Sequence, residues 1–201
     1  MSTEIQQVVL ASNNRGKLNE LQHRLGGLGV KLLPQSQFAI ESVDETGLSF
    51  VENAILKARH ACLVSGLPAI ADDSGLEVDA LNGAPGIYSA RFAGTDATDA
   101  DNNQKLLAEL RGIPTEKRSA RFRCLLVYMR HANDPTPLVC QGSWEGFILE
   151  EPRGDNGFGY DPLFFVPTEH CASAELPPEI KNRLSHRGLA MQELTQRLKL
   201  Q

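Results

Sequence analysis

The sequence predicts an α/β protein with a mixed central β-sheet flanked by helices, and three observations carry that expectation. Val8-Val9-Leu10-Ala11 and Val30 to Leu33 are short, β-branched, apolar runs with a helical stretch between them. A third apolar run, Leu67-Pro68-Ala69-Ile70-Ala71, follows a second helical stretch, an alternation that builds parallel strand-helix units. Later, Ser119 to His131 and Leu138 to Leu149 read as two long strands joined by the turn-forming Asn133-Asp134-Pro135-Thr136-Pro137, an expected antiparallel hairpin.

Taken in order, Leu18, Leu21, Leu25 and Leu28 recur at steps of three and four and line one face of the first helix, which Gly26-Gly27 and Gly29 end. Pro34 stops the second strand. From Leu48 to Val64 the apolar positions Val51, Ala54, Ile55, Ala58, Ala61 and Cys62 define a helix, with Glu52, Asn53, Lys57 and Arg59 off that face. The third strand runs straight into Asp72-Asp73-Ser74-Gly75, which puts two carboxylates at its expected carboxyl end. Thr98 is placed to cap a helix with Asp101 three residues on, and Leu106, Leu107 and Leu110 supply its buried side up to Gly112-Ile113-Pro114. Gly154 to Asp161 is a glycine-rich loop, Leu163 to Val166 a short buried run, and Glu175 to Leu200 is mostly helical from Pro177-Pro178 onward. There is no internal repeat and no low-complexity linker, so residues 1–201 are expected to form a single domain.

With 201 residues and 41% hydrophobic content the chain can bury a core without disulfides. Its four cysteines, Cys62, Cys124, Cys140 and Cys171, form no C-x-x-C pair and read as reduced thiols. The stretch Met1 to Gln7 is polar and lacks signal-peptide regions, and no apolar run approaches the roughly 20 residues of a membrane span, so a cytoplasmic protein is expected. A net charge of −5 disfavours extended binding to a nucleic-acid backbone. The densest basic stretch, Lys117, Arg118, Arg121 and Arg123, alternates with apolar residues as a strand with one wet face does. A small anionic ligand remains compatible with a few lysines gathered in one site.

Five constellations carry candidate chemistry. Ser12-Asn13-Asn14-Arg15-Gly16-Lys17 lies between a strand and a helix N-terminus, where free backbone N–H groups and the helix dipole attract phosphate. It is not a Walker A loop, and an ordinary strand-helix turn is the other reading. Asp72 and Asp73 cannot both be buried unpaired, so they call for a hard cation or a lysine, or else form a solvated Asp-Ser-Gly turn. Glu41, Asp44 and Glu45 either complete an oxygen-rich Mg²⁺ site with Asp73 or line a surface loop, and Lys57 on the following helix is either a phosphate ligand or solvated. Asn156-Gly157-Phe158-Gly159-Tyr160-Asp161-Pro162 offers a stacking surface and a carboxylate, or a tight turn with buried aromatics. Lys181 and Ser185-His186-Arg187-Gly188 gather donors able to meet a purine carbonyl, or simply form a basic helix face.

Together these segments resemble the inosine triphosphate pyrophosphatase family. The resemblance spans essentially the whole chain: the Ser12 to Lys17 loop, Phe50-Val51-Glu52-Asn53-Ala54, Asp72-Asp73-Ser74-Gly75-Leu76, Gly83-Ala84-Pro85-Gly86, Gly157 to Pro162 and Ser185-His186-Arg187. It implies a two-lobed fold with an active-site cleft, a homodimer, and Mg²⁺-assisted cleavage of dITP, ITP and XTP to the monophosphate and pyrophosphate. By the same resemblance Asp73 is the catalytic base and, with Glu45, a metal ligand. Ser12, Asn13, Asn14, Arg15, Gly16, Lys17 and Lys57 handle the triphosphate, and Ser74 contacts the nucleotide. Phe158 stacks on the base, Gly159, Tyr160 and Asp161 shape its pocket, and Lys181, His186 and Arg187 read the purine edge. Ser12 stands where the family often has Thr, and Asn13 where it often has Gly. A phosphatase releasing orthophosphate and a non-catalytic nucleotide sensor are the competing classes.

Overall fold

The computed structural model describes residues 6–200, so part of the polar stretch from Met1 to Gln7 lies outside the described residues. Its strands are β1 (Gln6–Leu10), β2 (Val30–Pro34), β3 (Ala69–Val78), β4 (Ser119–Met129), β5 (Leu138–Ile148), β6 (Phe164–Val166) and β7 (Cys171–Ala172). They form one open sheet in the order β2-β1-β3-β4-β5-β6-β7. Both β2 and β3 pair parallel with β1, whereas β5-β6 and β6-β7 are antiparallel, so the sheet is mixed as expected. The helices are α1 (Arg15–Leu25), α2 (Phe50–Ser65), α3 (Asp99–Glu109), α4 (Pro178–Leu184) and α5 (His186–Leu198).

The chain divides into two compact units, with residues of β3, β4 and β5 contributing to both. The first comprises the residues up to Asp73, Cys124–Gln141 and those from Ala190 on. Its sheet is buried on both faces, which is why its strands read as continuous apolar runs. Successive side chains of a strand point to opposite faces. Val8, Leu10, Ile70, Leu126 and Tyr128 accordingly pack with Leu21 and Leu25 of α1 and with Ala190, Met191 and Leu194 of α5. Val9, Ala69, Ala71, Val127 and Met129 pack on the other side with Ala54, Ala58, Ala61 and Cys62 of α2.

The second unit, Ser74–Arg123 and Gly142–Leu189, has its own core of Leu76, Val78, Leu106, Leu110, Phe122, Trp144, Ile148, Phe164 and neighbours. Phe122, Trp144 and Phe164 form an aromatic group with centroid separations of 4.6–6.4 Å. Thr98 and Asp101 make the expected reciprocal capping box at the start of α3. The buried Arg118 donates to the carbonyls of Leu110, Ile113 and Leu149, satisfying the end of α3.

Three expectations are corrected. β3 does not end at Ala71 but runs through Asp72-Asp73-Ser74-Gly75 to Val78, because Leu76 and Val78 are fully buried in the second unit's core. Asp72 and Asp73 are therefore mid-strand residues, and the turn reading of them falls. Leu28 belongs to a short 3₁₀ turn, Gly26–Leu28, after α1 has ended. The mostly helical C-terminal region consists of two helices, because Ser185 turns out of α4 and its hydroxyl caps α5 by accepting from the Gly188 amide at 3.2 Å. Asn53, placed off the apolar face of α2, is fully buried.

Candidate active site

The strand alternation that builds the first unit also sorts its acids. Asp72 follows Ile70 onto the α1 side of β3, and Asp73 follows Ala71 onto the α2 side. Each acid meets a lysine from the helix on its own side. Lys17 Nζ lies 2.7 Å from Asp72 Oδ2, and Lys57 Nζ lies 3.4 Å from Asp73 Oδ1. The desolvation cost of two neighbouring carboxylates is thus offset by two separate ion pairs.

Lys17 is delivered by the loop after β1. Asn14 is the N-cap of α1, its side-chain oxygen accepting from the Lys17 amide at 3.1 Å, and Ser12 Oγ accepts from the Asn14 amide at 3.2 Å. Asn13, Asn14, Arg15 and Gly16 are exposed, Ser12 and Lys17 half-buried. This is a helix N-terminus with first-turn amides at the surface and an ammonium beside them, the arrangement that attracts phosphate.

Lys57 also binds Glu45 Oε1, at 2.8 Å, so its ammonium joins two carboxylates, Glu45 and Asp73. Glu45, rather than its neighbour Asp44, is the acid in this cluster. The loop carrying it is fixed by Asn53, a residue the amphipathic pattern gave no reason to single out. Asn53 Oδ1 accepts from the Gly47 amide at 2.8 Å, and its side chain also favours the charged form of Asp73. Gly47 must be glycine, because a Cβ there would stand 2.6 Å from Glu52 Cβ and 2.7 Å from Asn53 Oδ1. Ser49 caps α2, and Glu52 reaches back to the Leu48 amide and the Ser49 hydroxyl.

Burial pushes the Asp73 carboxyl above the ordinary aspartate value; the nearby Glu45 charge adds to this, and Lys57 and Asn53 oppose it. For Lys57 burial acts downward, but Asp73 and Glu45 outweigh it and the ammonium is held more firmly than usual. The result is a poised acid beside a fixed positive charge. Among the described residues no three His, Cys, Asp or Glu side chains converge as metal ligands. The hard oxygen donors Glu45 and Asp73 nonetheless fit Mg²⁺, which is bound through one or two carboxylates together with substrate phosphates and water.

The second unit assembles the other predicted set. Asp161 is 3% exposed and its carboxylate is already engaged: it accepts from the Phe158 amide at 2.8 Å, from the Ser173 hydroxyl at 2.8 Å and from Lys181 Nζ. Gly157 packs against that carboxylate, a Cβ there falling 2.2 Å from Asp161 Oδ2. The Phe158 ring is 63% exposed, an uncommon setting for a large aromatic, and two cations lie against it. Lys181 Nζ is 5.1 Å and Arg187 Cζ 5.8 Å from the ring centroid. Arg187 Nε is buried without a hydrogen-bond partner among the described residues, a donor left for an incoming acceptor. His186 stacks on Phe122, with centroids 4.9 Å apart and planes 16° from parallel. Tyr160 is buried and its hydroxyl donates to the Ser89 carbonyl at 2.7 Å, so it supports the turn instead of facing outward. Ser74 lies half-buried in β3.

The predicted residues therefore fall into a lysine-acid centre in the first unit and an aromatic-cation surface in the second. Residues 8–197 match the model of the Ham1 family. A dITP/XTP pyrophosphatase of Photobacterium profundum is 62% identical over 192 residues, covering 96% of this chain and 98% of the relative. One from Escherichia coli O157:H7 is 58% identical over 195 residues, covering 97% and 99%. Among solved structures, a HAM1 protein from Coxiella burnetii superposes with a TM-score of 0.95 at 52% identity, covering 98% of this chain and 100% of that one. This chain belongs to the Ham1 family.

Proposed function

We propose that the protein hydrolyses non-standard purine nucleoside triphosphates, dITP, ITP and XTP, to the monophosphate and pyrophosphate, removing them from the nucleotide pool before they enter DNA or RNA. The observation that carries this reading is the Glu45-Lys57-Asp73 cluster, with an acid whose proton affinity is raised by burial held next to a fixed ammonium. The full-length relatives named dITP/XTP pyrophosphatase supply the substrate class.

In this reading Asp73 accepts the proton of a water whose oxygen attacks the α-phosphorus. The new P–O bond leaves with the nucleoside monophosphate, the bridging α-β P–O bond breaks, and its electron pair departs with pyrophosphate. Lys57, Lys17 and the amides of the Ser12 to Lys17 loop stabilise charge on the phosphates. Glu45 and Asp73 would hold Mg²⁺, which when bound neutralises phosphate charge and lowers the pKa of water. Phe158 stacks on the base, Lys181 and Arg187 donate to its 6-oxo group, and His186 and Ser74 complete the nucleotide contacts. Adenine is disfavoured because its 6-amino group meets those donors with a donor of its own. Asp161, already accepting from Phe158, Ser173 and Lys181, supports the base-reading residues.

A homodimer, cytoplasmic residence and a single catalytic domain belong to the same proposal and rest on the family likeness. Among the described residues no helix is long and apolar enough to cross a membrane. Purified protein incubated with Mg²⁺ and, separately, dITP, XTP, dGTP and dATP tests the reading. Pyrophosphate chiefly from dITP and XTP is expected; orthophosphate as the sole phosphate product, or equal turnover of all four, would overturn it.

A further inference from the structure

Phe158 is exposed although Tyr160 and Asp161 of the same turn are buried, so its own side chain does not anchor the backbone that presents it. The support comes from α3. Asp99, at the first position of the helix, accepts from the Gly159 amide at 2.6 Å through Oδ2. Asn103, one turn later on the same helix face, donates from Nδ2 to the Gly159 carbonyl at 2.8 Å. The two side chains engage both polar groups of the residue that follows Phe158. Asp161 also holds the Phe158 amide, and Tyr160 is anchored on Ser89.

We propose that Asp99 and Asn103 are positioning residues for purine recognition. They clamp the Gly159 backbone so that the Phe158 ring, with the Lys181 and Arg187 cations 5.1 and 5.8 Å from its centroid, is preorganised for the base. The inference rests on the reading of Phe158 as the base-stacking residue. A ring held in one orientation loses little freedom when the base docks, so the clamp acts on substrate affinity and hardly at all on the reacting phosphate. Nothing in the sequence points to it, since Asn103 meets a partner 56 positions away.

The test is steady-state kinetics with dITP on Asn103→Ala, Asp99→Ala, Asp99→Asn, Phe158→Ala and the double variant Phe158→Ala/Asn103→Ala, each with its melting temperature. Asn103→Ala and Asp99→Ala should raise KM roughly three- to tenfold with kcat within about twofold, the scale of one lost hydrogen bond. Asp99→Asn keeps an acceptor oxygen and should restore KM to near the unmodified value. On the Phe158→Ala background, removing Asn103 should raise KM no further, because the clamp has no ring left to orient. If Phe158→Ala raises KM but Asn103→Ala does not, or the two effects multiply, the clamp is wrong and the stacking reading stands. If Phe158→Ala leaves KM unchanged, the stacking reading fails and takes the clamp with it. A fall in kcat and melting temperature with KM unchanged would reduce Asp99 and Asn103 to structural residues.

Discussion

Asp72 and Asp73 are adjacent in sequence and on opposite sides of the sheet in the first unit, one paired with Lys17 of α1 and the other with Lys57 of α2. A two-residue period thus divides what looks like an acidic pair into a buried ion pair on one side and a poised acid on the other. The two acids should respond to substitution in opposite ways.

Asp73→Asn should lose turnover by roughly 10²- to 10⁴-fold, the usual range for a general base. Because burial disfavours its charge, the asparagine variant should melt at or above the temperature of the unmodified protein. Asp72→Asn should instead leave Lys17, which is a quarter exposed, without its carboxylate and cost about 1–2 kcal/mol, less than for a fully buried pair. Thermal unfolding beside kcat for the two variants separates these roles.

Gly47→Ala should be costly although no ligand contact is lost. The added methyl collides with Glu52 and Asn53, and its relief displaces the loop that carries Glu45. Overpacking of this kind costs about 1–3 kcal/mol. The expected result is a lower melting temperature together with reduced kcat.

How much of this is legible in the sequence depends on where each partner lies. The caps at Asn14, Ser49 and Thr98 are local, and the apolar periods of α1, α2 and α3 announce their buried faces. The middle of β3 is compatible with a turn because Asp-Ser-Gly is good turn chemistry, and only the burial of Leu76 and Val78 among distant residues decides against it. Asn53 escapes notice because an amphipathic pattern sorts residues by polarity, and a buried amide with a structural task breaks that rule. Ser173, Asp99 and Asn103 act through partners 12 to 60 positions away, beyond the reach of any local pattern. The break at Ser185 does have a signal, a serine placed to cap a helix that opens at the next residue.

Arg187→Ala should narrow the preference for dITP over dATP by roughly 10- to 100-fold, since in the proposed reading its buried Nε donor meets the 6-oxo group and penalises the 6-amino group. Competition between the two substrates, read as the ratio of kcat/KM, measures it. An unchanged ratio would remove Arg187 from base recognition.

The acid limb of stability should reflect Asp134. Its buried carboxylate accepts from the Arg130 guanidinium and from the amides of Arg130 and Thr136, which hold its pKa well below the ordinary value of 3.8. A depressed carboxyl pKa contributes stability at all pH values above the unfolded one, and the contribution is lost as pH falls below 3.8 toward the folded value. Asp134→Ala leaves two amides without their acceptor and should cost about 2–3 kcal/mol at pH 7. The difference from the unmodified protein should shrink below pH 3.8 in denaturant titrations.

The proposed reaction places the attack of water on the α-phosphorus, and one isotope experiment addresses that step directly. Hydrolysis of dITP in ¹⁸O-labelled water, followed by mass spectrometry of both products, should put the label in the nucleoside monophosphate and none in pyrophosphate. Label in pyrophosphate, or in orthophosphate released one phosphate at a time, would contradict the assignment of Asp73, Lys57 and Glu45 as a centre for cleaving the α-β bond.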